Sequence, residues 1–215
     1  MKVLAALLFA ALTAFPQVAD KANAGYKTQE GRATVAKTLG DPHRDDTQRP
    51  AEVVGKLGLR PGMTVADIGT GIGYMLPYLS RAVGPSGRVL AEDIQPDFLD
   101  KARAKVGSEK LTNVDIFLGT ETDPKLPVSS VDVALVLDVY HHFDYPDKML
   151  ANISRTLKPG AHLVIVDYYK KSRPDHIRLE RDDVVAEVET NGFHLLSKAD
   201  QPSNNQYILT FEKKQ

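Results

Sequence analysis

Residues 65–79, VADIGTGIGYMLPYL, constrain this chain more than any other segment. They read as a strand over 64–68, a turn carrying Gly69, Gly71 and Gly73, and a helix over 72–83 closed by Gly84-Pro85. Glycine lets a backbone turn tightly and lets a ligand come closer than a Cβ allows. The start of the helix directs free N–H groups and partial positive charge at the same place. The spacing excludes two kinds of ligand. A dinucleotide fingerprint, G-x-G-x-x-G, counted from Gly69 needs glycine at position 74, where Tyr74 stands. A P-loop needs Gly-Lys-Ser/Thr, which the segment lacks. The pattern present is Asp67-x-Gly69-Thr70-Gly71-x-Gly73.

Beyond this unit, strands and helices alternate. Strands are expected at 88–93, 114–118, 131–137, 162–167, 193–199 and 206–211, and helices at 96–106, 146–157 and 178–191. Residues 131–137 form an almost continuous apolar run, as in a strand covered on both faces. Such alternation implies an α/β fold: Rossmann-like, doubly wound, a mostly parallel seven-stranded sheet with helices on both faces. The link 200–205 is too short for a parallel crossover, so one antiparallel strand belongs near the edge. Upstream, helices are expected at 29–39 and 51–57. The charged stretch 41–50 has two prolines and reads as a loop. His43 and Arg44 within it either close over the site or stay solvated.

The N-terminus reads as an address. After Lys2, residues 3–15 are apolar except Thr13, Pro16 breaks the run, and Ala22-Asn23-Ala24 offers small residues to a signal peptidase. This predicts a signal peptide over 1–24 and an exported, periplasmic or secreted protein. Thirteen residues fall short of the ~20 that span a bilayer, so no stable membrane insertion is expected after cleavage. Residues 25–50 then form an N-terminal helix and loop, and 51–215 the main domain. The formal net charge of −1 offers no basic field for nucleic acid. The absence of cysteine excludes disulfides, thiolate metal sites and a cysteine nucleophile.

The glycine pattern resembles the first motif of class I S-adenosylmethionine-dependent methyltransferases, and its neighbours extend the likeness over about 50–213. The second strand ends at Glu92-Asp93, where that family places an acid on the ribose hydroxyls. Asp93 matches best, with Ile94 against the adenine; Asp93 as a helix cap and Glu92 as a substitute are the alternatives. In the loop 119–127, Leu126-Pro127 matches, and Thr120, Glu121 and Asp123 compete for the adenine amino group, of which Glu121 is chosen. Asp138-Val139-Tyr140-His141-His142-Phe143 resembles the segment after the fourth strand in ubiquinone/menaquinone-type methyltransferases. Leu157-Lys158-Pro159-Gly160 fits the same pattern. The resemblance implies S-adenosylmethionine as cofactor, held by Asp67, Gly69, Thr70, Gly71, Gly73, Asp93, Ile94, Glu121 and Asp138, and a small-molecule methyl acceptor.

Adjacent histidines in a strand point to opposite faces, so His141 and His142 are not expected to form a chelate, and no metal is expected. Asp138, Tyr140, His141 and the pair Tyr168–Tyr169 are candidates for lining the acceptor pocket; the alternatives are a structural His141 and tyrosines that serve packing. No side chain stands out as a general base, and none is assigned as catalytic. Three functions follow, in order: a small-molecule methyltransferase, an exported binder of S-adenosylmethionine that has lost catalysis, and another nucleotide-using Rossmann enzyme. The export signal sits awkwardly with a cofactor made in the cytoplasm and favours the second over the third.

Overall fold

The computed structural model describes residues 18–201 and 205–214. The apolar run 3–15 and Pro16, which carry most of the expected export signal, lie outside the described residues.

Seven strands form one sheet: β1 (Thr64–Ile68), β2 (Arg88–Asp93), β3 (Val114–Leu118), β4 (Val131–Leu137), β5 (Leu157–Tyr168), β6 (Phe193–Gln201) and β7 (Gln206–Lys213). Their order is β3-β2-β1-β4-β5-β7-β6. Strand β7 is antiparallel to β5 and to β6, and every other pairing is parallel. The single reversed strand is the one that the short link before it demands.

The strands show why the sheet is covered twice. Successive side chains of a strand point to opposite faces. Ala66, Ile68, Ala134, Val136, Leu163 and Ile165 share one core with Leu150 and Ile153 of α6 (Pro146–Thr156) and Val184 and Val188 of α7 (Arg181–Thr190). Val65, Val133, Leu135, Val164 and Val166 share the other with Val53 of α3 (Pro50–Lys56), Leu76, Leu79 and Val83 of α4 (Leu76–Val83), and Ala102 of α5 (Pro96–Ser108). Strand β1 leads through α4 to β2 and then outward to β3, while β4 leads the other way to β5. The order therefore reverses between β1 and β4, which opens a crevice above their carboxyl ends.

Some boundaries differ from expectation. The helix expected from 72 begins at Leu76, because Gly71 and Gly73 have φ of +57° and +83°, outside the helical region. The stretch 41–50 is not all loop: it holds the short helix α2 (Arg44–Gln48) and the first residue of α3. Helix α7 starts at Arg181 rather than 178, and β5 reaches from Leu157 to Tyr168 rather than 162–167. A 3-10 turn (Ala22–Tyr26) and α1 (Gln29–Leu39) precede these elements. They lie across the carboxyl end of the sheet, where Arg32 Nε donates to Asp97 Oδ2 of α5 at 2.8 Å.

Candidate functional site

The crevice is a cavity of about 370 Å³ walled by the ends of β1, β2 and β4 and roofed by the N-terminal segment. That lies within the range of small-molecule and cofactor sites.

Its floor is the glycine turn. Thr70 N donates to the Glu92 carbonyl at 2.7 Å, Gly71 N to Asp93 Oδ2 at 2.8 Å, and Gly69 N to Glu92 Oε2 at 3.3 Å. Thr70 Oγ1 donates to Asp67 Oδ2 at 2.7 Å. The acids at the end of β2 thus hold the turn in shape. The other oxygen of Asp93 accepts Gln95 N at 2.9 Å, which fixes the turn into α5, whose N-cap is Gln95 and not Asp93. Each Asp93 oxygen keeps a lone pair beyond its backbone bond. Glu92 Oε1 is buried with no hydrogen-bond partner.

Gly69 has φ +71°, and a Cβ there would come within 2.6 Å of Val139 on the neighbouring strand end. At Gly71, φ +57°, a Cβ would meet only the Leu39 side chain at 3.2 Å, another residue of the cavity wall. Tyr74, the residue that breaks the dinucleotide spacing, carries the Arg44 guanidinium 4.0 Å from its ring centroid. Its hydroxyl donates to Asp45 at 2.7 Å, so the turn also anchors α2.

The electrostatics of the cavity are lopsided. Seven lining side chains are carboxylates and two, Lys27 and Arg44, are cations. Burial pushes Asp67 up to about 6, with Asp93 adding to the effect. Burial likewise pushes Asp93 to about 6 against three backbone N–H groups that oppose it. Asp138 rises to about 6 for the same first reason, with Asp167 contributing. Burial, and then Asp93, also hold Glu92 well above the usual carboxylate range. Such a wall favours a positively charged guest, because each carboxylate regains in it the partner that burial removed.

The other end of the cavity follows β4. Asp138 holds φ +59°, a sparsely populated region for a residue with a Cβ, of the kind that collects at functional sites. Past it the chain makes a 3-10 turn (Tyr140–His142) rather than continuing as strand. His142 Nδ1 donates to Asn23 Oδ1 at 2.8 Å, and Asn23 Nδ2 donates to the His142 carbonyl and to Asp144 Oδ2, both at 3.0 Å. Ala19 N donates to Asp144 Oδ1 at 3.2 Å. The Tyr26 ring packs edge-on against His142 and Phe98, and its hydroxyl lies 3.4 Å from His142 Nε2. Burial pushes the Tyr26 phenol up and holds His142 well below the usual histidine range, helped by His141 and His176. Behind His142, His141 Nδ1 donates to the buried Asp167 Oδ1 at 2.8 Å. Burial alone would lower His141, but Asp167 outweighs it and the imidazole is raised.

Comparison with known proteins decides what kind of cavity this is. The methyltransferase domain family matches residues 66–165. A solved S-adenosylmethionine-dependent methyltransferase from Aquifex aeolicus is 32% identical, with a TM-score of 0.79 over 83% of this chain and 96% of that one. The chain belongs to the S-adenosylmethionine-dependent methyltransferases. It is also similar to the ubiquinone/menaquinone biosynthesis C-methyltransferase of Bordetella parapertussis, 31% identical over 58% of this chain and 48% of the relative. The arsenite methyltransferase of Halobacterium salinarum is 26% identical over 72% of this chain and 43% of the relative. The chain therefore matches less than half the length of these two curated relatives.

S-adenosylmethionine, the cofactor of this family, fits the site on two counts: the glycine floor leaves room for close approach, and the acidic wall suits a sulfonium and an amine. Of the residues expected to hold it, Asp67, Gly69, Thr70, Gly71, Asp93, Ile94, Glu121 and Asp138 line the cavity. Gly73 does not. A Cβ there would meet Leu76 at 2.9 Å and Ala102 at 3.3 Å, so this glycine seats the turn against α4 and α5. Of the three rivals in the loop after β3, Glu121 reaches the cavity rim, while Thr120 and Asp123 bond to each other. Arg44 enters the wall, whereas His43 is exposed beside Asp46.

Of the acceptor candidates Asp138 lines the cavity, and the others take the alternative reading. The Tyr140 hydroxyl donates to the partly buried Glu187 at 2.6 Å. Tyr168 stacks under Arg173 and Tyr169 bonds to Asp200, and neither lines the cavity. His141 stands behind the wall, and His142 is the member of the pair that lines it. Asn23 and Tyr26, which line the cavity, and Asp167 and His176 behind it escaped sequence reasoning. They lie far from the motif in the chain, and nothing local marks them.

Proposed function

We propose that this methyltransferase passes the methyl group of S-adenosylmethionine to a small molecule seated between the β4 turn and the N-terminal roof. The enclosed cavity at the β1/β4 crevice, acidic on the cofactor side and walled by His142 and Tyr26 on the other, carries this reading. The bound cofactor supplies an already activated methyl on a sulfonium. The residues then have three tasks. Asp93 accepts from the ribose hydroxyls, the floor at Gly69–Gly71 seats the adenosyl group, and Asp67 and Asp138 balance positive charge. The N-terminal roof excludes water and holds the acceptor in line, an orientation effect. His142, held neutral by burial, presents its imidazole to the acceptor end of the cavity. An oxygen or carbon acceptor suits this wall better than arsenite, a soft thiol-seeking ion for which the chain has no cysteine.

Calorimetry with S-adenosylmethionine, its demethylated product and NAD tests the cofactor. Micromolar binding of the first two and none of NAD is expected, and binding of NAD alone defeats the reading. Transfer of labelled methyl from the cofactor into a cell extract tests turnover; cofactor binding without any labelled product would leave an inert binder.

We infer further that the chain is made for export, from the apolar run 3–15 and Ala22-Asn23-Ala24. Cleavage after Ala24 would take Asn23 off His142, so the processing site matters to the chemistry. Fractionation of cells and sequencing of the mature N-terminus test this. A cytoplasmic chain that keeps Met1 refutes it.

A further inference from the structure

The histidines that a strand would have splayed apart are brought together by the 3-10 turn. The rings of His141 and His142 lie 4.1 Å apart, centroid to centroid. His176, from the loop after β5, packs its ring 4.8 Å from the first and 5.3 Å from the second. One ring nitrogen from each lies within 4.8 Å of the other two. His141 Nε2 and His176 Nε2 are 3.2 Å apart. Two nitrogens on a tetrahedral zinc, each bonded at 2.0–2.1 Å, are about 3.3 Å apart. One edge of the tetrahedron is therefore already at length, and His142 has about 1.5 Å to close.

The surroundings match as well. Asp167 fixes Nδ1 of His141, and Asn23 fixes Nδ1 of His142. Each ring thereby turns Nε2 toward the cluster, where His141 Nε2 now shares a hydrogen bond with His176 Nε2 and His142 Nε2 faces the Tyr26 hydroxyl, bonds that a metal ion would displace; the partner on Nδ1 is the kind of contact that orients a metal-binding histidine. Arg173 nearby is unfavourable to a cation, but Asp138 and Asp167 bring two negative charges to the same ring of His141. Cofactor binding and methyl transfer, as read above, make no use of His141 or His176. We propose that His141, His142 and His176 form a binding site for one divalent transition-metal ion, with zinc the best fit. His142 stands in the cavity wall, and the long 3.4 Å contact from Tyr26 to its Nε2 is the bond the metal replaces. The fourth position then faces the acceptor end of the cavity and suits an oxygen donor; that use of the site, though not the site itself, rests on the methyltransferase reading.

The test uses the full chain, stripped with a chelator and titrated with zinc chloride by calorimetry, with metal content measured directly. One zinc per chain is expected. His176→Gln, at a half-buried position, should weaken zinc at least tenfold while circular dichroism stays unchanged. Asp167→Asn should weaken it about 10–100-fold, as expected when a ligand's orienting partner is lost. Cobalt(II) in place of zinc should show the visible absorption of a tetrahedral site, absent in His176→Gln. No zinc at one equivalent, or equal affinity in His176→Gln and the parent, overturns the proposal. Calorimetry with S-adenosylmethionine on the same samples separates the two readings: zinc retained without cofactor binding sinks only the methyltransferase reading, and the converse sinks only the metal site.

Discussion

The two halves of the cavity are built differently. On the cofactor side, contacts join neighbouring parts of one β-α-β unit: Gly71 reaches Asp93 across 22 residues, and Gly69 reaches Glu92 across 23. On the acceptor side they join the N-terminal segment to the turn after β4: Asn23 reaches His142 across 119 residues, and Ala19 reaches Asp144 across 125. The first half forms from a local rule, that a strand end, a glycine turn and a helix start make a cradle. The second forms only after the sheet is assembled and the N-terminal segment folds back over it. The cradle should therefore be the part that family members share, and the roof the part that selects the acceptor.

The largest effect expected is at Gly69. Placing valine there would put a Cβ 2.6 Å from Val139 at a φ of +71°, so Gly69→Val should lose cofactor binding altogether. It should also lower stability by about 1–3 kcal/mol for the overpacking alone. Thermal melting and calorimetry measure both, and retained affinity would show that the cradle is mere packing. Gly71→Val should also abolish binding but leave the melting temperature nearer the parent, because its Cβ meets only the tip of Leu39.

Asp93→Ala removes the acceptor of the Gly71 and Gln95 N–H groups together with that of the ribose. Cofactor affinity should fall by about 1–3 kcal/mol, the scale of a lost charged hydrogen bond. Zinc affinity should stay within twofold if the halves are separable. Equal cofactor affinity in the variant would take Asp93 out of the site.

The pH dependence has a definite sign. Asp67 and Asp93 face each other, Glu92 and Asp97, with Arg44 near Asp67, and are raised from 3.8 to about 6. A carboxyl raised in the folded state stabilises the fold below its unfolded value near 3.8, and that contribution is lost as pH rises through about 6. A cationic guest reverses the balance by favouring the ionised form. Affinity for S-adenosylmethionine should therefore rise about tenfold from pH 5 to pH 7 for each of the two carboxylates that must ionise, and then level off. Affinity that is flat across this window, measured by calorimetry, would leave these carboxylates out of binding.

The smallest effect expected on the cofactor comes from the roof. A chain starting at Gly25 lacks Asn23 and the Ala19 contact. Cofactor affinity should change less than threefold while methyl transfer falls several-fold, the cost of losing about 1 kcal/mol of orienting hydrogen bonds. Equal losses in both would merge the two halves into one unit.

How far the site could be read in the residues follows the same division. Strands β1 to β4, the acids at 92–93 and the turn 69–71 each carry a local signature: a period, a glycine spacing, a strand end. Spacing cannot say which of the three glycines lines the cavity; Gly73 packs against Leu76 and Ala102 instead. Which reading Tyr140 takes, packing or lining, is decided by its partner Glu187, on a helix 47 residues away. The histidine pair was misjudged for a plainer reason. The period-two rule holds only while the chain stays a strand, and β4 ends at Leu137, before the left-handed Asp138 turns it.

By itself the sequence determined the class of fold, the reversed strand near the edge, the glycine cradle and the acid that serves it, because each depends on dihedral limits and periodicities acting over a few residues. Only the tertiary structure decided which side chains share the acceptor end. It brought Asn23 and Tyr26 to His142, and His176 to His141, across separations no local pattern records. Their meeting depends on how the sheet and its crossings close, and a ring nitrogen 3.2 Å from another is a result of that closure.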